Sequence, residues 1–341
     1  MLLAALVPYP TMSVRQSDVA ILIPTYRQKH LAVRAIDSAL ATEAGEIIVS
    51  DDHSGDGTWD VLCRYDDPRL RIVQQTSNLG LWRNHLALLR MASRPWIKFI
   101  QQDDWLSPGA LGVLVDHADE MVSVVSALDS FYDLETGRAW VGTQLEAPRR
   151  WKSDAYMARL LIVGNELGRP SATLFRAEVL DYAEEAWRND ISADLVANVI
   201  AASRGDVVLL PQGLWYTGEH PGQDTHTQSF RLVVTRIRNS HAYLAKADDT
   251  RVRRFASVFS FAAGVGSIRI ALGAIRRGQP VYARYPLDLV RLLRDSAPRD
   301  AADARMSGRY LRYAYVNPDR RALIEKAMKP ICTNPSGEEF L

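Results

Sequence analysis

Short apolar runs alternating with segments of helical periodicity constrain this chain most. "DVAILIP", "EIIVSD", "LRIVQQ" and "WIKFIQ" read as strands, and "HLAVRAIDSALA", "TWDVLCRY" and "LWRNHLALLRMA" between them read as helices. That rhythm specifies a parallel α/β sheet with helices on its faces. "MVSVVSAL" adds a strand. A turn-rich segment around Thr136 and Gly137 follows, then helical spacing from Trp151 to Val163, the unit "GRPSATLFR", the helix "SADLVANVIAAS" and the strand-like "DVVLLPQGLWYTGEHPG". Beyond about Phe230 the pattern turns helical and Arg-rich. The expected organisation is a flexible leader over 1–17, an α/β domain over 18–229 with halves near 18–128 and 129–229, and a basic, mainly helical region over 230–341.

Composition narrows the class. Of 341 residues 47% are hydrophobic and 24% charged, which excludes a disordered chain and a membrane-embedded bundle. Cys63 and Cys332 lack metal-ligand spacing, and so low a cysteine count fits a reducing, cytoplasmic setting. The opening "MLLAALVPYPTM" has no basic flank and is broken by Pro8 and Pro10, so it reads as a leader and not a signal peptide. No segment has the roughly 18 apolar residues that span a bilayer. The nearest, Phe255 to Ile275, carries Arg269 and reads as a packed or interfacial helix. From Arg231 onward there are about 21 Lys and Arg against about 10 Asp and Glu, so the preceding part is near −10 although the whole chain is +1. Clustered basic charge on helices is suited to an anionic membrane surface, and equally to a solvated face of a helical cap. No nucleic-acid module is present.

The chemistry-bearing residues fall at the carboxyl ends of the strands, where open α/β sheets bind ligands. The first strand ends in Pro24, Thr25, Tyr26 and Arg27; Pro24 stops the ladder, and Tyr26 either stacks on a planar base or covers the sheet edge. The second ends in Asp51 and Asp52, able to accept from a base N–H or a ribose hydroxyl, or to organise a turn of the kind that Asp56 and Thr58 make. The third leads to Asn78 and Gly80, with Arg83 one turn into a helix and able to meet phosphate oxygens. The fourth ends in Asp103 and Asp104. These either precede a helix begun by Ser107 and Pro108, favoured there by its dipole, or deliver carboxylates to a hard cation and through it to phosphates. An aromatic, a carboxylate pair, an Asn with an Arg and a second carboxylate pair make a nucleotide site assembled in register.

"VAILIPTYRQ", "EIIVSDDHSGDGT", "NLGLWRN" and "IKFIQQDDWLSPGAL" resemble the successive motifs of family 2 glycosyltransferases, and "GRPSATLFR" and "WYTGEHPG" resemble the later segments, so the likeness covers roughly Val19 to Gly222. It implies the GT-A fold: an open, mixed, mostly parallel sheet flanked by helices, here with a helical C-terminal extension. It implies a nucleoside-diphosphate sugar as donor, UDP- or dTDP-linked, with Tyr26 on the base, Asp51 and Asp52 at base or ribose, and Asp103 as the metal-binding carboxylate of an Asp-x-Asp motif holding Mn²⁺ or Mg²⁺. The sequence departs from that motif at its first position, which is Gln101. His220 would meet the metal or pyrophosphate. Trp105, Arg169 and Ser171 would line the acceptor side, where Trp105 also reads as a core residue. The general base would be Asp194 or Asp190 in "RNDISADLVANVI". The implied reaction is inverting transfer to a hydroxyl of a glycan or lipid-linked acceptor in bacterial polysaccharide or glycolipid assembly, on the cytoplasmic side of a membrane. The other reading is a degenerate, non-catalytic nucleotide-binding or scaffold subunit, motivated by Gln101. A sugar-nucleotide pyrophosphorylase is disfavoured because "IPTYRQKH" after the first strand has no glycine, and a dinucleotide oxidoreductase fares worse because no G-x-G-x-x-G follows a strand.

Overall fold

The computed structural model describes residues 13–127, 130–134, 139–141, 145, 147–189, 192–219, 230–276, 293–294, 297–298 and 300–316. In chain order the first half runs β1 (Val19–Thr25), α1 (Lys29–Leu40), β2 (Glu46–Asp51), α2 (Thr58–Leu62), β3 (Leu70–Gln74), α3 (Leu81–Met91), β4 (Trp96–Phe99), β5 (Asp104–Leu106), α4 (Ala110–Val115) and β6 (Val122–Ala127). There follow β7 (Ser130–Asp133), β8 (Ala139–Val141), β9 (Arg149–Trp151), α5 (Ser153–Val163), β10 (Thr173–Arg176), α6 (Ala177–Asp181), α7 (Glu184–Arg188), α8 (Ala193–Arg204), β11 (Asp206–Leu210) and β12 (Trp215–Glu219). Among the described residues beyond 229 are α9 (Phe230–Leu244), α10 (Thr250–Arg276) and α11 (Ala301–Val316).

The expected mixed, mostly parallel sheet is present. Its order is β3-β2-β1-β4-β10-β6-β11-β9. The pairs β3–β2, β2–β1, β1–β4 and β6–β11 are parallel, while β10 runs antiparallel between β4 and β6. A smaller sheet, β5-β12-β7-β8, takes β5, β7 and β12 from the chain next after β4, β6 and β11. β1 is apolar from Val19 to Ile23 because both of its faces are covered. Val19, Ile21 and Ile23 join a core with Ala32 and Ile36 of α1 and Leu111 and Leu114 of α4; Ala20 and Leu22 join a second core with Leu86 of α3, Leu160 of α5 and Val196 of α8. That second core continues through Leu244, Val252, Phe255 and Val258 of α9 and α10. α10 packs on α5, α8 and α11.

One expectation changes. Ser107 and Pro108 do not begin a helix: α4 starts at Ala110 after Gly109, whose φ of +75° only glycine adopts cheaply, and Asp104 lies in β5. Asp103 and Asp104 are therefore not capping acids. "GRPSATLFR" is a strand preceded by a 3-10 turn at Pro170–Ala172, and it completes the centre of the main sheet. Among the described residues no helix is long and apolar enough to cross a membrane.

Candidate active site

Pro24 does not stop the ladder with β2, which runs on through Pro24 opposite Ser50 and Thr25 opposite Asp51, and the Thr25 hydroxyl donates to the Ser50 carbonyl. Gln102 ties this end to the end of β4: its Oε1 accepts the Tyr26 N–H at 2.7 Å and its Nε2 donates to the Tyr26 carbonyl at 3.1 Å. The Tyr26 ring is thereby left exposed, with the Arg27 guanidinium 5.0 Å from its centroid. Arg27 and Gln28 have φ near +58°, a sharp left-handed turn clasped by the Arg27 N–H to Ser54 Oγ at 2.7 Å.

Asp51 and Asp52 are both buried and both have protein partners. Asp51 accepts from the Ser54 hydroxyl and from Gln74 Nε2 at 3.0 Å. Asp52 accepts the N–H groups of Leu79 at 2.7 Å and Gly80 at 2.9 Å, and so draws the Asn78 loop onto β2. Burial raises the Asp52 carboxyl above its ordinary range, with those two N–H bonds opposing. The Asn78 amide donates to the Asp52 carbonyl at 3.4 Å, and Arg83 Nε donates to the Arg188 carbonyl at 3.0 Å.

β5 puts Asp104 inward opposite Thr217 of β12, and Gly218 donates its N–H to the Asp103 carbonyl at 2.9 Å. Asp104 is buried, and its Oδ1 has no hydrogen-bond partner among the described residues. Burial first and the Asp103 charge second hold it well above the carboxylate range; the nearby Ser171 and Thr217 hydroxyls and the Arg169 charge lower it without completing a bond to Oδ1. Beneath it lies Lys98, wholly buried in β4, its Nζ donating to the Ser171 carbonyl. Burial brings this ammonium down to about 7, against the pull of Asp104. Both partners thus shift toward their neutral forms, the expected response of charges taken out of water.

Asp194 stands in the first turn of α8, where burial raises it while the Leu195 N–H and the Arg236 and Arg169 charges lower it. Arg169 therefore acts on Asp104 and Asp194 together, with its guanidinium 5.6 Å from the Phe131 ring. Ser171 is buried, and its Oγ accepts the Gln101 N–H at 3.0 Å. Trp105 is set apart: strand alternation turns it to the face opposite Asp104, against Tyr216 and Tyr132, with Arg34 4.5 Å from its ring. Asp190 and His220 lie outside the described residues. Among the described residues no three His, Cys, Asp or Glu side chains gather around a metal position.

Sequence reasoning passed over Lys98, His85, Gln102, Thr217 and Arg236. Lys98 carried a signal, a lone cation inside the apolar run "WIKFI". The others came into play only through contacts remote in sequence.

The family model described as "Glycosyl transferase family 2" matches residues 20–180. The chain is 34% identical over 104 residues to the succinoglycan biosynthesis protein ExoO of Rhizobium meliloti, 30% of each chain. It is 34% identical over 107 residues to the GalNAc(5)-diNAcBac-PP-undecaprenol beta-1,3-glucosyltransferase of Campylobacter jejuni, 30% of this chain and 35% of that one. The matched stretch is thus about a third of these relatives' length. The crystal structure of S. aureus TarS 1-349 in complex with UDP-GlcNAc is similar in fold, with TM-score 0.60 and 15% identity over 86% of this chain and 89% of that one.

Proposed function

From a chain whose residues 20–180 match the glycosyltransferase family 2 model, we propose an inverting glycosyltransferase that moves a sugar from a UDP- or dTDP-linked donor to a hydroxyl of a glycan or lipid-linked acceptor. The observation that carries this reading is the junction of the β1 and β4 ends, where Gln102 bonds to the Tyr26 backbone directly before Asp103 and Asp104. In the reaction the acceptor oxygen attacks C1 and its proton passes to Asp194. The bond from C1 to the diphosphate oxygen breaks on the opposite face, and its electron pair leaves with the nucleoside diphosphate. A carboxylate with a raised pKa is the better base for this transfer. The exposed Tyr26 ring is available to a base, and Arg83 and Arg169 supply positive charge for phosphate oxygens.

A divalent cation suits the donor set. Hard cations in such sites take one or two carboxylates and complete their shell with phosphate and water. Asp103 would hold it, beside the unpartnered Asp104 Oδ1, and when bound it would neutralise charge on the leaving diphosphate. A lipid-linked acceptor is supported by the undecaprenol-linked substrate in the Campylobacter relative's name. The basic excess beyond residue 231 would favour work at an anionic membrane surface.

Calorimetric titration of UDP, dTDP and GDP, with and without Mn²⁺, into the wild type and Asp103→Ala tests this. The expectation is Mn²⁺-dependent binding of one nucleotide, weakened at least tenfold in the variant. Nucleotide binding without any donor turnover would favour the scaffold reading. Binding of no nucleotide at all would remove both.

A further inference from the structure

His85 and Gln101 form a couple that decides what the odd residue of the acid motif can recognise. The His85 ring is wholly buried among Trp82, Phe99 and Trp187, with centroids 5.1 to 5.5 Å away. Its Nδ1 lies 2.7 Å from the Leu81 carbonyl, and its Nε2 lies 2.9 Å from Gln101 Nε2. A carbonyl only accepts, so Nδ1 carries the hydrogen. In a neutral ring Nε2 is then a bare lone pair, and the group facing it must donate. Burial brings the imidazole down to about 4, which keeps it neutral. Gln101 must therefore turn its NH₂ toward His85. Among the described residues no group donates to Gln101 Oε1, the other end of the amide.

We propose that His85 is a positioning residue that locks the Gln101 amide, so that Gln101 presents a neutral, acceptor-only oxygen to the donor and selects one of its hydroxyls. The inference rests on the transferase reading above. A free amide could flip and offer NH₂ to a phosphate. The locked one repels phosphate oxygens and suits an O–H donor. A carboxylate at this position would have brought a charge that the His85 lone pair opposes, so His85 and Gln101 form one unit. The backbone adds to it, since the Gln101 N–H is held by Ser171 Oγ at 3.0 Å.

Two measurements test the couple. In ¹⁵N-histidine-labelled wild type at neutral pH, His85 is expected as the Nδ1–H tautomer with an unprotonated Nε2; an Nε2–H tautomer would overturn the lock. In a double-mutant cycle read by UDP and dTDP titration, His85→Phe keeps the aromatic cage and removes the acceptor, and Gln101→Leu removes the amide. Each is expected to weaken binding of the preferred nucleotide about tenfold, with the double variant no worse than Gln101→Leu alone. Losses that multiply, or His85→Phe binding as wild type does, would overturn this inference and leave the transferase reading intact. A wild type that binds no nucleotide overturns both, and the tautomer spectrum remains readable if a variant fails to fold.

Discussion

Gly218 is needed for a spatial and not a conformational reason. A Cβ there would meet the Asp103 carbonyl oxygen at 2.5 Å and Leu134 Cδ1 at 3.2 Å. β12 can approach the acid-bearing strand only because that atom is missing. Gly218→Ala should therefore push β12 and β5 apart, costing about 1 to 3 kcal/mol. Metal-assisted nucleotide binding should fall more than the melting temperature alone suggests. Thermal denaturation with calorimetry checks this, and wild-type binding in the variant would refute the close-approach argument. For Asp194 the raised pKa sets a direction. A base must be deprotonated, so kcat should decline on acidification through a value above the ordinary 3.8, and Asp194→Asn should lower kcat about 10² to 10⁴-fold with no acid limb left. A pH–rate profile separates this from a first-turn acid that only favours α8, which would leave the limb in place. The carboxylates were legible in the sequence because strand ends announce themselves by composition. Their partners were not. Nothing local tells that Asp52 clasps the Leu79 and Gly80 N–H groups, because that contact joins segments separated by α2 and β3.

α3 shows how an element can be read correctly and still hide its chemistry. The pattern of "LWRNHLALLRMA" predicts a helix, and α3 covers Leu81–Met91. Which face is buried follows from periodicity, yet that face also contains Asn84, bonded to Ser50 in both directions, and His85. A buried histidine makes stability depend on pH. Its folded pKa is lowered to about 4 from 6.5, so the unfolded chain takes up the proton first. The stability is complete above about pH 6.5 and is lost as pH falls toward 4, up to an amount on the order of 3 kcal/mol. His85→Phe should flatten this part of the curve in urea titrations at successive pH values, and an unchanged slope would place the dependence elsewhere. β10 was the strand the sequence obscured. "TLFR" is too short for alternation to register, and only the paired edges of β4 and β6 make it a strand. The parallel half was legible because β1, β2 and β3 are each followed by a helix of their own; β12 and β5 pair across more than a hundred residues and leave no local mark.

At the scale of the molecule, the C-terminal helices belong to the core. The sequence set them apart by charge, and their first turns explain how that charge is carried. Arg251, Arg253 and Arg254 open α10, where positive charge opposes the helix dipole. Arg251 bonds to Asp249 and Asp154, Arg254 to Asp303, and Arg253 to the Ala247 and Asp248 carbonyls. Any attraction to a membrane would come from the other basic residues. Beneath this rim, Phe255 is fully buried, stacks on Phe259 at 5.2 Å, and joins the core that holds Ala20 and Leu22 of β1 and Val196 of α8. If α9 and α10 were an appended module, a cavity there would melt them alone. If they complete the sheet's second face, the whole domain must feel it. Phe255→Ala is expected to destabilise by about 3 to 5 kcal/mol. Chemical denaturation should show one transition, followed equally by far-UV dichroism and by tryptophan fluorescence, to which Trp82 of α3 and Trp187 of α7 contribute. Two separated transitions, with the tryptophan signal unmoved, would show instead that the basic helices fold as a unit of their own.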